Sequence, residues 1–255
     1  MSVLRISQLF LKPEREAAMT EQTYLDLDPA GGIIGSAPSI LPRQVNIAAA
    51  SSLETHGVSA AGSRANIIFG APATSLSSGA HLTIGLAQLR ITFPCEPCAH
   101  GARLAGVPLG RFRQLDRYLA VVTVPGRISL GQEASIKHDV HPRVPEDFKS
   151  RAAWAVGQIP AGRVVSSREF LAAIGASRSY HRALPGWLRQ AVSEGLPGHR
   201  VLPIDFGLPS WSPDAARILA DEGLPPGCYH GAAWPLTSAL WGAAAGSPRL
   251  KRGGL

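Results

Sequence analysis

At 255 residues, 45% of them hydrophobic, the chain has room for one large domain or two ordinary ones and enough apolar mass to bury a core in each, which excludes disorder throughout. Its 25 Lys+Arg against 18 Asp+Glu leave a net charge of +7, a bias that suits anionic partners. Three cysteines, Cys95, Cys98 and Cys228, are too few for a disulfide framework, and no apolar run approaches the ~20 residues of a membrane span, so a cytoplasmic protein with no membrane partner is expected.

The first segment, Val3 to Leu11, is followed by Lys12-Pro13-Glu14 and reads as a strand rather than a signal peptide. Up to about residue 135 the apolar residues come in short, β-branched runs separated by Gly, Pro and Ser: Ile67-Ile68-Phe69, Leu82-Thr83-Ile84, Leu89 to Phe93, Val121 to Val124 and Ile128-Ser129-Leu130. Such runs predict a mostly β, barrel-like domain over 1–135. Charge and proline in His138 to Pro145 predict a linker over 136–146.

Beyond it the period becomes helical. Phe148, Ala152, Val156 and Ile159 share a face, and Pro160 stops the helix. Ser166-Ser167-Arg168-Glu169 is a capping box that opens a second helix ending at Gly175. A third runs through Tyr180, Leu184, Trp187, Leu188 and Val192, with Pro185-Gly186 expected to kink it. A fourth is expected from Ser212 as cap and Pro213 in the first turn to just before Gly223. Two short helices joined by a glycine turn, the later one basic, predict a small, mainly α, winged helix-turn-helix-like domain over 147–224. Between Arg163 and Arg200 six arginines face two glutamates, a cluster suited to phosphate contacts. Residues 225–255, rich in Gly, Ala and Pro with Arg249, Lys251 and Arg252 near the end, are expected to form a partly mobile tail.

Two stretches carry a family resemblance in this second half: Ile159-Pro160-Ala161-Gly162-Arg163-Val164-Val165-Ser166 and Leu196-Pro197-Gly198-His199-Arg200-Val201. Together they resemble the DNA-binding domain of the alkylguanine-DNA alkyltransferases, with Gly198 where that family has its acceptor cysteine, which is the pattern of the alkyltransferase-like proteins. The resemblance implies binding of double-stranded DNA through the minor groove and base flipping into a pocket, without alkyl transfer. It places Arg182, Ser167, Gly198, His199, Arg200 and Trp211 in DNA or lesion binding. His181 competes with Arg182 for the base-stack position, and Ser167 stands where an aromatic tyrosine is expected. Gly198 either fills a tight turn or enlarges a lesion pocket, and His199 with Glu222 either assists or serves as scaffold. Trp187 and Trp211 are core candidates, Trp211 being the better pocket wall.

In the first half, Gly31-Gly32-Ile33-Ile34-Gly35, Arg43-Gln44-Val45, Arg64-Ala65-Asn66-Ile67, Gly79 to Gly85, Phe93-Pro94-Cys95-Glu96-Pro97-Cys98 and Arg127 to Gly131 follow one another in an order that resembles the MOSC domain, the β-barrel module named after the C-terminal part of molybdenum cofactor sulfurase. The resemblance implies a catalytic thiolate at Cys95 or Cys98, the same sulfur as a ligand to molybdenum, and Arg43, Arg64 and Asn66 around a molybdopterin cofactor. The Gly-Asp-x-His that often follows the Gly-rich turn in that family is replaced by Gly35-Ser36-Ala37-Pro38.

The two resemblances predict a nucleoid-associated reader of O-alkylated guanine-type bases for DNA repair, fused to a MOSC domain that acts on modified bases or recruits repair proteins. The alternative is a thiol- or molybdenum-dependent enzyme, a sulfur carrier or a reductase of N-hydroxylated compounds, with an accessory nucleic-acid-binding domain.

Overall fold

The computed structural model describes residues 3–14, 16–70 and 76–242, which divide into two compact units at Val144/Pro145. Arg249, Lys251 and Arg252 lie outside the described residues.

The first unit is built on strands β1 (Val3–Leu11), β2 (Thr20–Gln22), β3 (Tyr24–Asp28), β4 (Gly32–Ile33), β5 (Val45–Ala49), β6 (Ile67–Phe69), β7 (His81–Ile84), β8 (Ala87–Pro94), β9 (Arg117–Val124), β10 (Gly126–Ser129) and β11 (Glu133–Lys137). Seven of them close into a ring in the order β11-β7-β8-β9-β5-β6-β1, because β1 pairs back onto β11; β2 hangs on β1, and β10-β3-β4 form a separate small sheet. Only the β5–β6 pairing in the ring is parallel, and it needs a crossover. The crossover carries the short helix α1 (Ala50–Thr55). The predicted strands at 67–69, 82–84, 89–93 and 121–124 fall within observed ones, and the run at 128–130 overlaps β10, which ends at Ser129. The expected linker begins later than 136, since Ile136 and Lys137 belong to β11, and His141 and Val144 are hydrogen-bonded to Gly79 and Ser78 of the same unit.

Alternation along β5 and β9 decides where the cavity forms. Val45, Ile47, Ala49, Ala120 and Val122 point into the ring, where they meet Ile6, Leu9, Ile67, Leu89 and Ile136 in the main core. Ala48 and Ile68 point outward into a second apolar cluster with Phe10, Leu53, Ala102, Phe112 and Leu115. The wall is therefore buried on both faces, the outer one under α1, α2 (Ala99–Ala105) and α3 (Leu109–Phe112).

The second unit contains α4 (Phe148–Val156), β12 (Val165–Ser166), α5 (Ser167–Ala173), a 3-10 turn at Arg178–Arg182, α6 (Leu184–Ser193), a 3-10 turn at Gly198–Arg200, β13 (Val201–Leu202), α7 (Ala215–Asp221), a 3-10 turn at Tyr229–Ala232 and α8 (Leu236–Trp241). Its core gathers Val156, Ile159, Phe170, Leu171, Ile174, Leu184, Leu188, Val201 and Leu236.

Pro185 does not kink a long third helix: it sits in the first turn of α6, where its missing N–H costs nothing, and the residues before it wind as a 3-10 turn. Ser212 does not cap α7, whose N-cap position is Asp214. Half of the capping box forms, the Ser166 hydroxyl accepting from the Glu169 amide, while the Glu169 carboxylate reaches instead to the Thr237 amide. Between β12 and β13 the pairing is parallel and two residues long, so among the described residues this unit holds no antiparallel wing. Residues 225–242 are not a loose tail: Leu236 and Trp241 are buried, and the Trp241 indole N–H donates to the Ala173 carbonyl at 2.6 Å.

Candidate functional site

On the outer wall of the barrel, where β5 meets β9 beneath α2, lies a cavity of about 240 Å³. All five residues picked out by the barrel motifs line it: Cys95, Cys98, Arg43, Arg64 and Asn66. Lys12 and Arg117 add two more cations, against the single carboxylate of Glu96, which pairs with Arg43 at 3.0 Å.

Local structure explains how each arrives. Cys95 directly follows β8, its amide held by the Arg117 carbonyl at 2.7 Å. Cys98 is the exposed N-cap of α2, and its Sγ accepts from the Gly101 amide at 3.3 Å. Gly101 is required by close approach, because a Cβ there would lie 2.7 Å from the Phe112 ring. Arg64 holds a left-handed backbone with φ of 63°, a conformation that costs a non-glycine residue roughly 1 kcal/mol and recurs at binding sites. Its guanidinium donates to the Ala17 carbonyl at 2.7 Å, and burial pushes its pKa down from the ordinary arginine value.

Asn66 contributes differently from the expectation. Its carbonyl oxygen accepts from the Asn46 amide at 3.0 Å and its NH₂ donates to the Phe10 carbonyl at 3.2 Å, so it clamps the junction of β1, β5 and β6. Sequence reasoning missed Asn46 and Arg117. The available signal was a polar side chain inside each apolar strand, Val45-Asn46-Ile47 and Arg117-Tyr118-Leu119.

Among the described residues no three His, Cys, Asp or Glu side chains converge on one metal position. A protein-only zinc centre wants four such ligands. A metal carried by an organic cofactor asks for far fewer, so two soft thiols beside several cations fit a cofactor-borne metal better than a bare ion.

The second unit has a shallower, largely apolar cavity of about 460 Å³ between α5, the head of α6 and the loop after β13. Ser167, His181, Pro185, Asp205 and Trp211 line it. Of the six residues assigned to DNA or lesion binding, this cavity gathers only Ser167 and Trp211; of the two base-stack candidates, His181 lines it and Arg182 is exposed away from it.

Gly198, His199 and Arg200 serve the interior. A Cβ at Gly198 would lie 2.7 Å from Val192 Cγ2 and 3.1 Å from the Leu188 carbonyl, so glycine lets the turn pack on α6 and does not enlarge the cavity. Its carbonyl accepts from the Trp211 indole at 3.2 Å. Arg200 donates to Glu222 through Nε and Nη2 and to the Ile159 carbonyl through Nη1 at 2.7 Å, while His199 Nε2 lies 3.0 Å from Glu222. Burial pushes the Glu222 carboxyl up, but hydrogen bonds from Arg200, His199 and the Gly162 amide outweigh it and bring the pKa down to about 2. The scaffold reading of His199 and Glu222 describes this cluster, and Arg200 belongs to it rather than to a DNA-facing surface. Cys228 is exposed and lines neither cavity.

Among the described residues no helix is long and apolar enough to cross a membrane. No family model matches the chain. No curated protein matches it in sequence. Among solved structures, the chain is similar to the YuaD protein from Bacillus subtilis at 18% identity, over 53% of this chain and 96% of that one, with a TM-score of 0.44. It is similar to YiiM from Escherichia coli at 17% identity, over 74% and 94%, with a TM-score of 0.42. YiiM from Geobacillus stearothermophilus is similar at 11% identity, over 86% and 98%, with a TM-score of 0.43. At such TM-scores the likeness carries no argument about family or activity, and the seven-stranded ring stands on its own strand pairings.

Proposed function

We propose that the barrel unit is a thiol-dependent enzyme that holds a phosphate-bearing ligand, of the kind the MOSC resemblance implies. The observation that carries this reading is the convergence of Cys95 and Cys98 with Lys12, Arg43, Arg64 and Arg117 on one cavity. Arginines bind phosphate oxygens bidentately, and a thiolate is a soft ligand and a strong nucleophile.

In a molybdenum-pterin form, Arg43 and Arg64 would hold the phosphate and Cys95 or Cys98 would offer the sulfur ligand. When bound, such a group supplies two-electron exchange, sufficient to take an N-hydroxylated amidine, two electrons and two protons to the amidine and water. The chain's own part is to bind the anion, orient it against the thiols and keep the Glu96 charge engaged by Arg43.

The test is the molybdenum content and benzamidoxime reduction, with reduced viologen as donor, of protein made in a molybdenum-replete host, beside Cys95→Ser and Cys98→Ser. Molybdenum and turnover that disappear in one of the two variants are expected and identify the sulfur. Turnover and metal absent from the wild type, or indifferent to both substitutions, would remove the reading.

A second reading concerns the second unit, where the exposed Arg168, Arg178 and Arg182 are neighbours in sequence of the cavity-lining Ser167 and His181. This arrangement supports contact with duplex DNA, with an alkylated base taken into the cavity. Tighter binding to a duplex carrying one methylated guanine than to the plain duplex, lost with rising salt and weakened by Arg178→Ala and Arg182→Ala, is expected. Equal binding to both duplexes would end the damage-recognition reading.

A further inference from the structure

Two residues that line the barrel cavity each carry an unmet polar atom. On the β5–β9 pairing Asn46 stands opposite Leu119 and Ala48 opposite Arg117, so Asn46 and Arg117 project from the same outer face as diagonal neighbours. Each has used part of its bonding capacity. The Asn46 NH₂ donates to the Arg64 carbonyl at 3.1 Å. Arg117 Nη1 donates to the Ser63 carbonyl at 3.0 Å, and its guanidinium lies 4.2 Å from the Phe112 ring centroid.

What remains is Asn46 Oδ1 and Arg117 Nε, both buried and neither with a hydrogen-bond partner. Arg117 is only 4% exposed. Folded proteins rarely leave such atoms unmet, because each forfeits its hydration without compensation. Here one is an acceptor and the other a donor, they are neighbours, and both residues line the cavity that holds the thiols.

We infer that Asn46 and Arg117 read the edge of a planar heterocycle that presents an N–H beside a ring C=O, as the pyrimidinone ring of a pterin or a guanine does. The heterocycle's N–H donates to Asn46 Oδ1, and its carbonyl accepts from Arg117 Nε. The inference rests on the reading of this cavity as a phosphate-bearing ligand site and adds the ring to it. Size agrees: about 240 Å³ lies below the roughly 300–1,000 Å³ of pockets that take drug-sized ligands, so the cavity suits one ring system with its phosphate rather than a dinucleotide.

The experiment is calorimetric titration of the full chain with GMP, ribose 5-phosphate and inorganic phosphate, for the wild type, Asn46→Leu and Arg117→Lys. GMP is expected to bind the wild type at least about tenfold tighter than ribose 5-phosphate, the value of two modest hydrogen bonds. In both variants that ratio should fall toward one. GMP no tighter than ribose 5-phosphate in the wild type, or a ratio that survives both substitutions, overturns ring recognition and leaves the phosphate site standing. No binding of any of the three overturns the phosphate site and the inference with it. Should a variant fail to give the wild-type circular dichroism and melting transition, the wild-type ligand series decides alone.

Discussion

Glu222 accepts from Arg200, His199 and the Gly162 amide at once, in a cluster whose side chains are 11% to 16% exposed. Its folded-state pKa of about 2 lies below the ordinary 4.5, so the stability it contributes, roughly 3 kcal/mol, is fully present above about pH 4.5 and is lost as the pH falls toward 2. Glu222→Gln strands a guanidinium and should cost the second unit about 2–3 kcal/mol at neutral pH while flattening its acid transition, read by denaturant unfolding at several pH values. His81 and His141 form the opposite kind of pair. Their ring nitrogens lie 3.3 Å apart. Burial pushes both pKa values down, helped at His81 by Lys137 and at His141 by Arg90. With folded values below the ordinary one of about 6.5, these histidines favour the fold above that pH, and the melting temperature of the barrel should fall as the medium is acidified below it. His81→Gln should remove part of that slope; a slope unchanged by the substitution would assign it to other groups. At this scale the sequence named the cavity's cysteines and two of its arginines, because motif residues sit in loops that local chemistry makes readable. It pointed to Asn66 where the open carbonyl belongs to Asn46, because which amide is already engaged depends on partners twenty or more residues away, such as Phe10.

The turn at Gly198–Arg200 packs directly on α6, so of the two roles open to Gly198 in the sequence it takes the tight turn and not the enlarged pocket. Gly198→Ala should destabilise by about 1–3 kcal/mol through overpacking against Val192 and the Leu188 carbonyl. Adding Val192→Ala removes one of those contacts, so the double variant should lose less than the sum of the two singles, a coupling read from a double-mutant cycle. Additive losses would show that the carbonyl contact alone matters. Strands were legible where β-branched runs alternate, as at 67–69 and 89–93. By contrast β5 and β11 were missed, the one because Val45-Asn46-Ile47 alternates over only three residues before two alanines, the other because the charge of Glu133 and Lys137 resembles a linker. The apolar spacing of the 3-10 turn continues into α6 without a break and so predicts a single helix, whereas the Pro185 signal for a new start lies inside the run.

Each unit has a core of its own, and the two-domain division at the charged, proline-rich stretch was readable from composition alone. The boundary of the second unit was not. Gly- and Ala-rich sequence after Leu224 carries little periodicity, yet α8 buries Leu236 and Trp241 and ties back to α5 through Glu169 and Ala173. A fragment covering 145–242 should therefore melt cooperatively by itself, whereas one ending at Gly223 should show no cooperative transition by circular dichroism. A cooperative melt of the shorter fragment would mean that α8 is dispensable.

Closure of the ring by Val3 against Ser135 sets the order in which the nascent chain can become whole. At translation speeds of about 5–20 residues per second, β1 waits roughly 6–25 s beyond the ribosome before β11 is made, its edge unsealed and its apolar face without a lid. Substitutions at Ala134 or Ile136 should accordingly register first as soluble yield and dependence on chaperones, before any change in the finished protein's equilibrium stability is felt.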